Sequence, residues 1–172
     1  MTTAVAARRD PPEVRDLRFD LAEVPKYWHG GRRAVTLFYD NLSTFFPPGE
    51  RFFMASVKAF RNEVKDEALR REVDAFCAQE GHHSREHVRY NRMLTEQGLP
   101  AAAMEKLTER ILQRVARRAS RRRQLAMTCA LEHFTALLAS LVLKDPRVLE
   151  GAHPRMAELW RCKACTGTRG GC

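Results

Sequence analysis

From Asp66 to Gln97 the chain contains no proline, and it then meets Gly98-Leu-Pro100. Asp66 can cap a helix start and Gly98 can end one, so the spacing predicts one long helix over this stretch. On a helix turning about 100° per residue, Glu80, His83 and His87 fall in one narrow arc. The same face carries Leu69, Val73, Phe76 and Cys77 before them and Asn91 and Leu94 after them. Three polar side chains therefore interrupt an apolar stripe. A carboxylate so placed must be paired, hydrogen-bonded, protonated or metal-bound, because burying a lone charge is very costly. The rest of the fold has to supply its partners.

Other apolar residues also recur at helical spacing. A helix is expected after His29-Gly-Gly, carrying Val35, Phe38, Tyr39 and Leu42 and ending at Phe46-Pro-Pro-Gly49. A second would start near Glu50 and carry Phe53, Met54, Val57 and Phe60. Further helices are expected from about Ala101 to Ala119, from Ser120 to Leu143 with Leu125, Leu131, Phe134, Leu138, Leu141 and Val142 inward, and from Pro154 to Trp160. No strand alternation and no solenoid-length repeat is visible. The expected fold class is all-α, a helix bundle. Three segments follow: an irregular N-terminal arm over residues 1–25, a helical metal-binding domain over 26–161, and a Cys- and Gly-rich tail over 162–172.

A chain of 172 residues with net charge +9 invites a nucleic-acid reading. Its densest basic run is Arg117, Arg118, Arg121, Arg122 and Arg123. Aromatic interleaving and a recognisable reader motif are both absent, so a solvated helix surface explains the run better. No apolar run is expected to reach the length that spans a bilayer, and Met1–Asp10 does not resemble a secretory signal, which makes the cytoplasm the expected compartment. Five cysteines, three of them crowded in the tail, do not form a disulfide framework.

The polar interruption recurs on two other helices. Glu132 shares a face with Leu125, Cys129, Ala136, Ala139 and Leu143, and Glu50 shares one with Phe53, Met54 and Val57. Each has an ordinary reading: Glu50 as negative charge at a helix N-terminus, Glu132 as partner of an arginine. His29, His133 and His153 read as hydrogen-bonded core residues, and His82 points away from the cluster. Together, Glu50, Glu80, His83, His87 and Glu132 make a better candidate metal site. Carboxylate oxygens with imidazole nitrogens suit a divalent metal, with iron or manganese favoured and zinc allowed.

Two parses compete for the stretch QEGHHSREH at 79–87. His83-Ser-Arg-Glu86-His87 fits H-x-x-E-H, in which two histidines bind zinc and Glu86 acts as base. Glu80-Gly-His-His83 instead fits the Glu-x-x-His of a ferritin-like dinuclear site, where Glu50 and Glu132 would supply two further helical contributions. The second parse uses more of the sequence.

PPGERFF at 47–53, FCAQEGHHSREHVRYN at 76–91, ALEHFTALLA at 130–139 and PRMAELWR at 154–161 resemble the bacterial family of predicted metal-dependent hydrolases, a ferritin-like group. The similarity extends from about Val14 to Arg161. The resemblance implies a metal-dependent enzyme acting on a small molecule, with Glu50, Glu80, His83, His87 and Glu132 as the matching metal-site residues. Such a site suits metal-assisted hydrolysis and oxygen activation alike, with Glu86 or His133 as supporting groups.

The resemblance fails at the end. A helix beginning Trp-His-Ala and carrying Glu-Glu-x-Glu-His is expected after Leu159-Trp-Arg161, and CKACTGTRGGC stands there instead. The expectation is a chain truncated or frame-shifted after about Arg161, lacking the last metal-ligating helix of the bundle. An inactive fragment, self-association through the uncovered groove to form a homo-oligomer, and a basic nucleic-acid-binding module are the competing readings. Cys162-x-x-Cys165 has zinc half-site spacing without a second pair.

Overall fold

The structure is a computed structural model and describes residues 14–165. Among these residues, five helices follow an irregular N-terminal arm: α1 (Arg33–Lys58), α2 (Glu67–Glu96), α3 (Ala101–Arg118), α4 (Arg121–Lys144) and α5 (Pro154–Cys165). Short 3-10 turns occupy Arg61–Glu63 and Pro146–Leu149. Among the described residues there is no strand beyond an isolated bridge between His29 and Ala152. The all-α expectation holds. Helix α1 lies along both α2 and α3, while α4 packs on α5 and touches α1.

The expected break at Phe46-Pro-Pro-Gly49 does not occur. Helix α1 runs straight through Pro47 and Pro48, and both are buried. Pro47 has no N–H to give to the carbonyl of Ser43, which would normally cost the helix several kcal/mol together with the ring clash. The side-chain amide of Asn91 on α2 supplies a replacement donor, its Nδ2 lying 3.3 Å from the Ser43 oxygen. The same amide accepts from Ser43 Oγ at 2.8 Å and donates to Glu105 at 3.0 Å. Glu50 is consequently a mid-helix residue, and its reading as a charge at a helix N-terminus falls. Asn91→Leu is expected to cost about 1–3 kcal/mol, because it orphans buried groups on α1. Urea denaturation checks this; a change under about 0.5 kcal/mol would show that α1 crosses the prolines without help.

Helix α2 follows the sequence closely. Asp66 accepts from the N–H groups of Ala68 and Leu69, and Gly98 leaves the helix at φ +81°, where other residues are strained. The irregular arm is packed from Phe19 onward: Phe19, Leu21, Val24 and Trp28 are buried with Tyr39, Phe46, Tyr90, Leu94, Met156 and Trp160 in one core.

Helix α4 departs from expectation. Only Thr128 and Val142 are buried on it. Leu131, Phe134, Leu137 and Leu141 are exposed, and so are Cys129 and His133. The sequence reading of Leu131, Phe134 and Leu141 as inward, and of His133 as a core residue, is corrected: among the described residues the helix has neighbours on one side only. The expectation of no bilayer-length apolar segment also fails for α4, which is long and apolar enough to cross a membrane by length and composition alone. Ala, Thr and Cys among its leucines dilute the apolar signal without adding charge.

Helix α5 continues past the expected end at Trp160 to Cys165. The remainder of the Gly-rich tail, including Cys172, lies outside the described residues.

Candidate metal centre

Three helices contribute to one buried polar cluster. Glu50 comes from the middle of α1, and Glu80 and His83 come from α2, one helical turn apart. Their ligand atoms all lie within 4.8 Å of one another, and all three residues are buried. The i, i+3 spacing puts Glu80 Oε1 3.2 Å from His83 Nδ1. Gln79, buried beside them, accepts from the Arg15 N–H at 2.7 Å and turns its amide nitrogen to His83 Nε2 at 3.0 Å. Nδ1 is the ring atom turned toward the carboxylates.

A cation already sits in the middle. The ammonium of Lys163, from the last turn of α5, lies 2.6 Å from Glu50 Oε1, 3.4 Å from Glu80 Oε2 and 3.1 Å from His83 Nδ1. It also stands 4.7 Å above the ring of Phe46. Lys163 escaped the sequence reading, although a signal existed. Met156, Trp160 and Ala164 are buried, and continuing their helical period places residue 163 on the inward face.

The electrostatics follow from this arrangement. Burial pushes the Glu50 carboxyl up to about 7 despite the adjacent ammonium. Burial would also raise Glu80, but the Lys163 charge and the His83 contact outweigh it and hold Glu80 below the usual range. Burial and the Lys163 charge bring His83 down to about 4, so the ring is neutral. Burial opposes the charge on Lys163, yet the two carboxylates hold it protonated well above its ordinary range.

The other two candidates stand apart from this group. His87 is fully buried, its ring 4.5 Å from that of Phe46 and 5.7 Å from that of Trp160. Its Nδ1 lies 2.9 Å from Ser43 Oγ. Ser43 spends its one proton on Asn91, so His87 Nδ1 donates to it. Glu132 on α4 is half-buried and faces Glu80 and Lys163 across a cavity of about 60 Å³, which Phe46, Trp160 and Ala139 also line. That is room for ordered water. Burial, with the Glu80 charge adding to it, pushes the Glu132 carboxyl up to about 7.

The H-x-x-E-H arrangement is not assembled around a common point. Glu86 is occupied elsewhere, accepting from the Phe19 N–H at 3.1 Å and pairing with Arg85 at 2.9 Å and Arg89 at 3.4 Å. It anchors the N-terminal arm. His133 is exposed and is not a supporting group of the cluster. Within the basic run, Arg121 pairs with Glu63 at 2.8 Å and lies over the ring of Phe60 at 4.6 Å.

The residues present fit a divalent cation. Besides the donor set of two carboxylates and one imidazole, Glu50 Oε2 is buried with no hydrogen-bond partner among the described residues. An orphan carboxylate oxygen at zero exposure is costly, and a metal bond would satisfy it.

No curated protein and no solved structure matches the chain. The model of one family, described as predicted metal-dependent hydrolase, matches residues 13–165. The buried carboxylate and histidine cluster lies inside the matched region, and the chain belongs to the predicted metal-dependent hydrolase family.

Proposed function

We propose that the chain is a metal-dependent enzyme of hydrolase type, built on a ferritin-like arrangement of helices, with one divalent cation held by Glu50, Glu80 and His83. The observation that carries this reading is the buried cluster itself, two carboxylates and a neutral imidazole from two helices, with one carboxylate oxygen orphaned. Oxygen-rich donors favour manganese or iron over softer metals. A bound cation would supply Lewis-acid polarisation and acidify a water beside it.

The chain's own residues have separate tasks. Glu80 stays ionised and lies one helical turn from His83, so the two present their ligand atoms side by side. His87 is locked by Ser43 and the surrounding rings, which seal the inner wall of the cavity. Glu132, poised near 7 across the same cavity, is the group best suited to take a proton from water and return it to a leaving group. A dinuclear centre would need Glu132 and His87 to join the cluster, with His87 offering Nε2 while Nδ1 stays on Ser43.

Equilibrium dialysis of the purified full chain against manganese tests the reading. About one equivalent should bind at saturation, with affinity falling at least 100-fold in Glu80→Ala and in His83→Ala and unchanged in the exposed variant His133→Ala. Binding that survives both cluster substitutions would sink the proposal.

A further inference from the structure

We infer that the Lys163 ammonium is an internal counter-cation that occupies the metal position of this cluster, so that metal enters only by displacing it. This rests on the reading of Glu50, Glu80 and His83 as a cation site. Three observations support it. The ammonium nitrogen lies among the same three ligand groups, at 2.6, 3.4 and 3.1 Å. Metal–ligand bonds from such groups are about 2.0–2.2 Å, so a metal would take nearly the same centre with its ligands drawn inward. The two cations cannot occupy that centre together.

The second observation is placement. Lys163 follows Trp160 by three residues on α5, and Trp160 is buried in the aromatic core against Tyr39 at 4.8 Å and His87 at 5.7 Å. The helix therefore delivers the lysine to the cluster as a consequence of packing. The third is exit: the Lys163 side chain keeps 16% of its exposure while Glu50 keeps none. The lysine can swing outward by rotating its flexible stem, whereas Glu50 is fixed within α1.

A tethered cation is present at a high effective concentration, so the cluster is neutralised without metal and free metal must compete with it. Wild-type folding then depends little on metal, and wild-type metal affinity is lower than the ligand set alone would give.

The test compares manganese binding to wild type and Lys163→Met by isothermal titration, with thermal melting in chelator and in manganese. Lys163→Met is expected to bind manganese at least tenfold more tightly, to melt lower than wild type in chelator, and to regain that loss with manganese. Equal or weaker binding by the variant would overturn the inference while leaving the metal site standing. Absence of binding by both proteins would overturn the site as well. Wild type supplies an independent readout should the variant fold only with metal. Lysine reductive methylation, read by mass spectrometry of the peptide holding Lys163, should rise severalfold on adding manganese as the ammonium is expelled. Unchanged labelling of Lys163 at saturating manganese would overturn the displacement.

Discussion

Glu50→Ala is expected to lower folding stability by about 3–5 kcal/mol, the usual cost of removing one member of a buried ion pair. Glu50 has no exposed surface, and its Oε1 lies 2.6 Å from the Lys163 ammonium. Without it, Glu80 at 3.4 Å is the remaining carboxylate of the cluster in contact with that charge. Glu50→Gln keeps the shape and an acceptor, and should cost less, about 1–2 kcal/mol. The pair of variants also separates charge from packing through pH. Burial raises the Glu50 pKa in the folded chain to about 7, above the ordinary value of 4.5 that applies when unfolded. Between those values the folded state binds the extra proton, so the contribution of Glu50 to stability is fullest below about 4.5 and is lost as pH rises through 7. Wild type should therefore lose stability relative to Glu50→Gln by up to about 1.4 kcal/mol per pH unit across that window. Chemical denaturation at pH 5 and pH 8 measures it, and a pH-independent difference would mean that Glu50 is ionised throughout.

Trp160→Ala should have an effect of similar size, about 3–5 kcal/mol, from lost burial and the cavity left behind. Trp160 is 3% exposed and meets four rings: Tyr39 at 4.8 Å, His87 at 5.7 Å, Phe46 at 6.0 Å and Tyr90 at 6.4 Å. These rings join α1, α2 and α5, so the loss is both local and architectural. Because α5 carries Lys163, the variant should also label faster at Lys163 than wild type. Protection of Lys163 that survived the substitution would show that the ion pairs alone hold α5 in place.

The fold was legible where local signals decide it. Asp66 caps α2 and Gly98 releases it, both through backbone chemistry within a few residues. Helix α1 was not legible, because the partner that offsets Pro47 is Asn91, 48 residues from Ser43 in sequence. Apolar periodicity on α4 likewise told which residues share a face, but not whether another helix covers that face; Phe134 is 67% exposed. Glu80 and His83 could be paired from their i, i+3 spacing, and Glu50 from its apolar neighbours. Their joint approach within 4.8 Å depends on how α1 crosses α2. Lys163 is hard to see in sequence because the apolar period of α5 fades at Trp160, three residues before it, while the helix itself runs on to Cys165. His87 shares the arc of His83, yet its ring is drawn to Ser43 and the aromatic wall instead of the carboxylates.

On the proposal above, Glu50, Glu80 and His83 hold one divalent cation. Anomalous diffraction at the manganese edge, from crystals of the full chain equilibrated with manganese, tests it most directly. One strong peak is expected about 2.0–2.3 Å from oxygens of Glu50 and Glu80 and from a nitrogen of His83, with the Lys163 ammonium moved out of the cluster. A peak bound by His83 and His87 without Glu50, or full cluster density with Lys163 still at its centre under saturating metal, would contradict it.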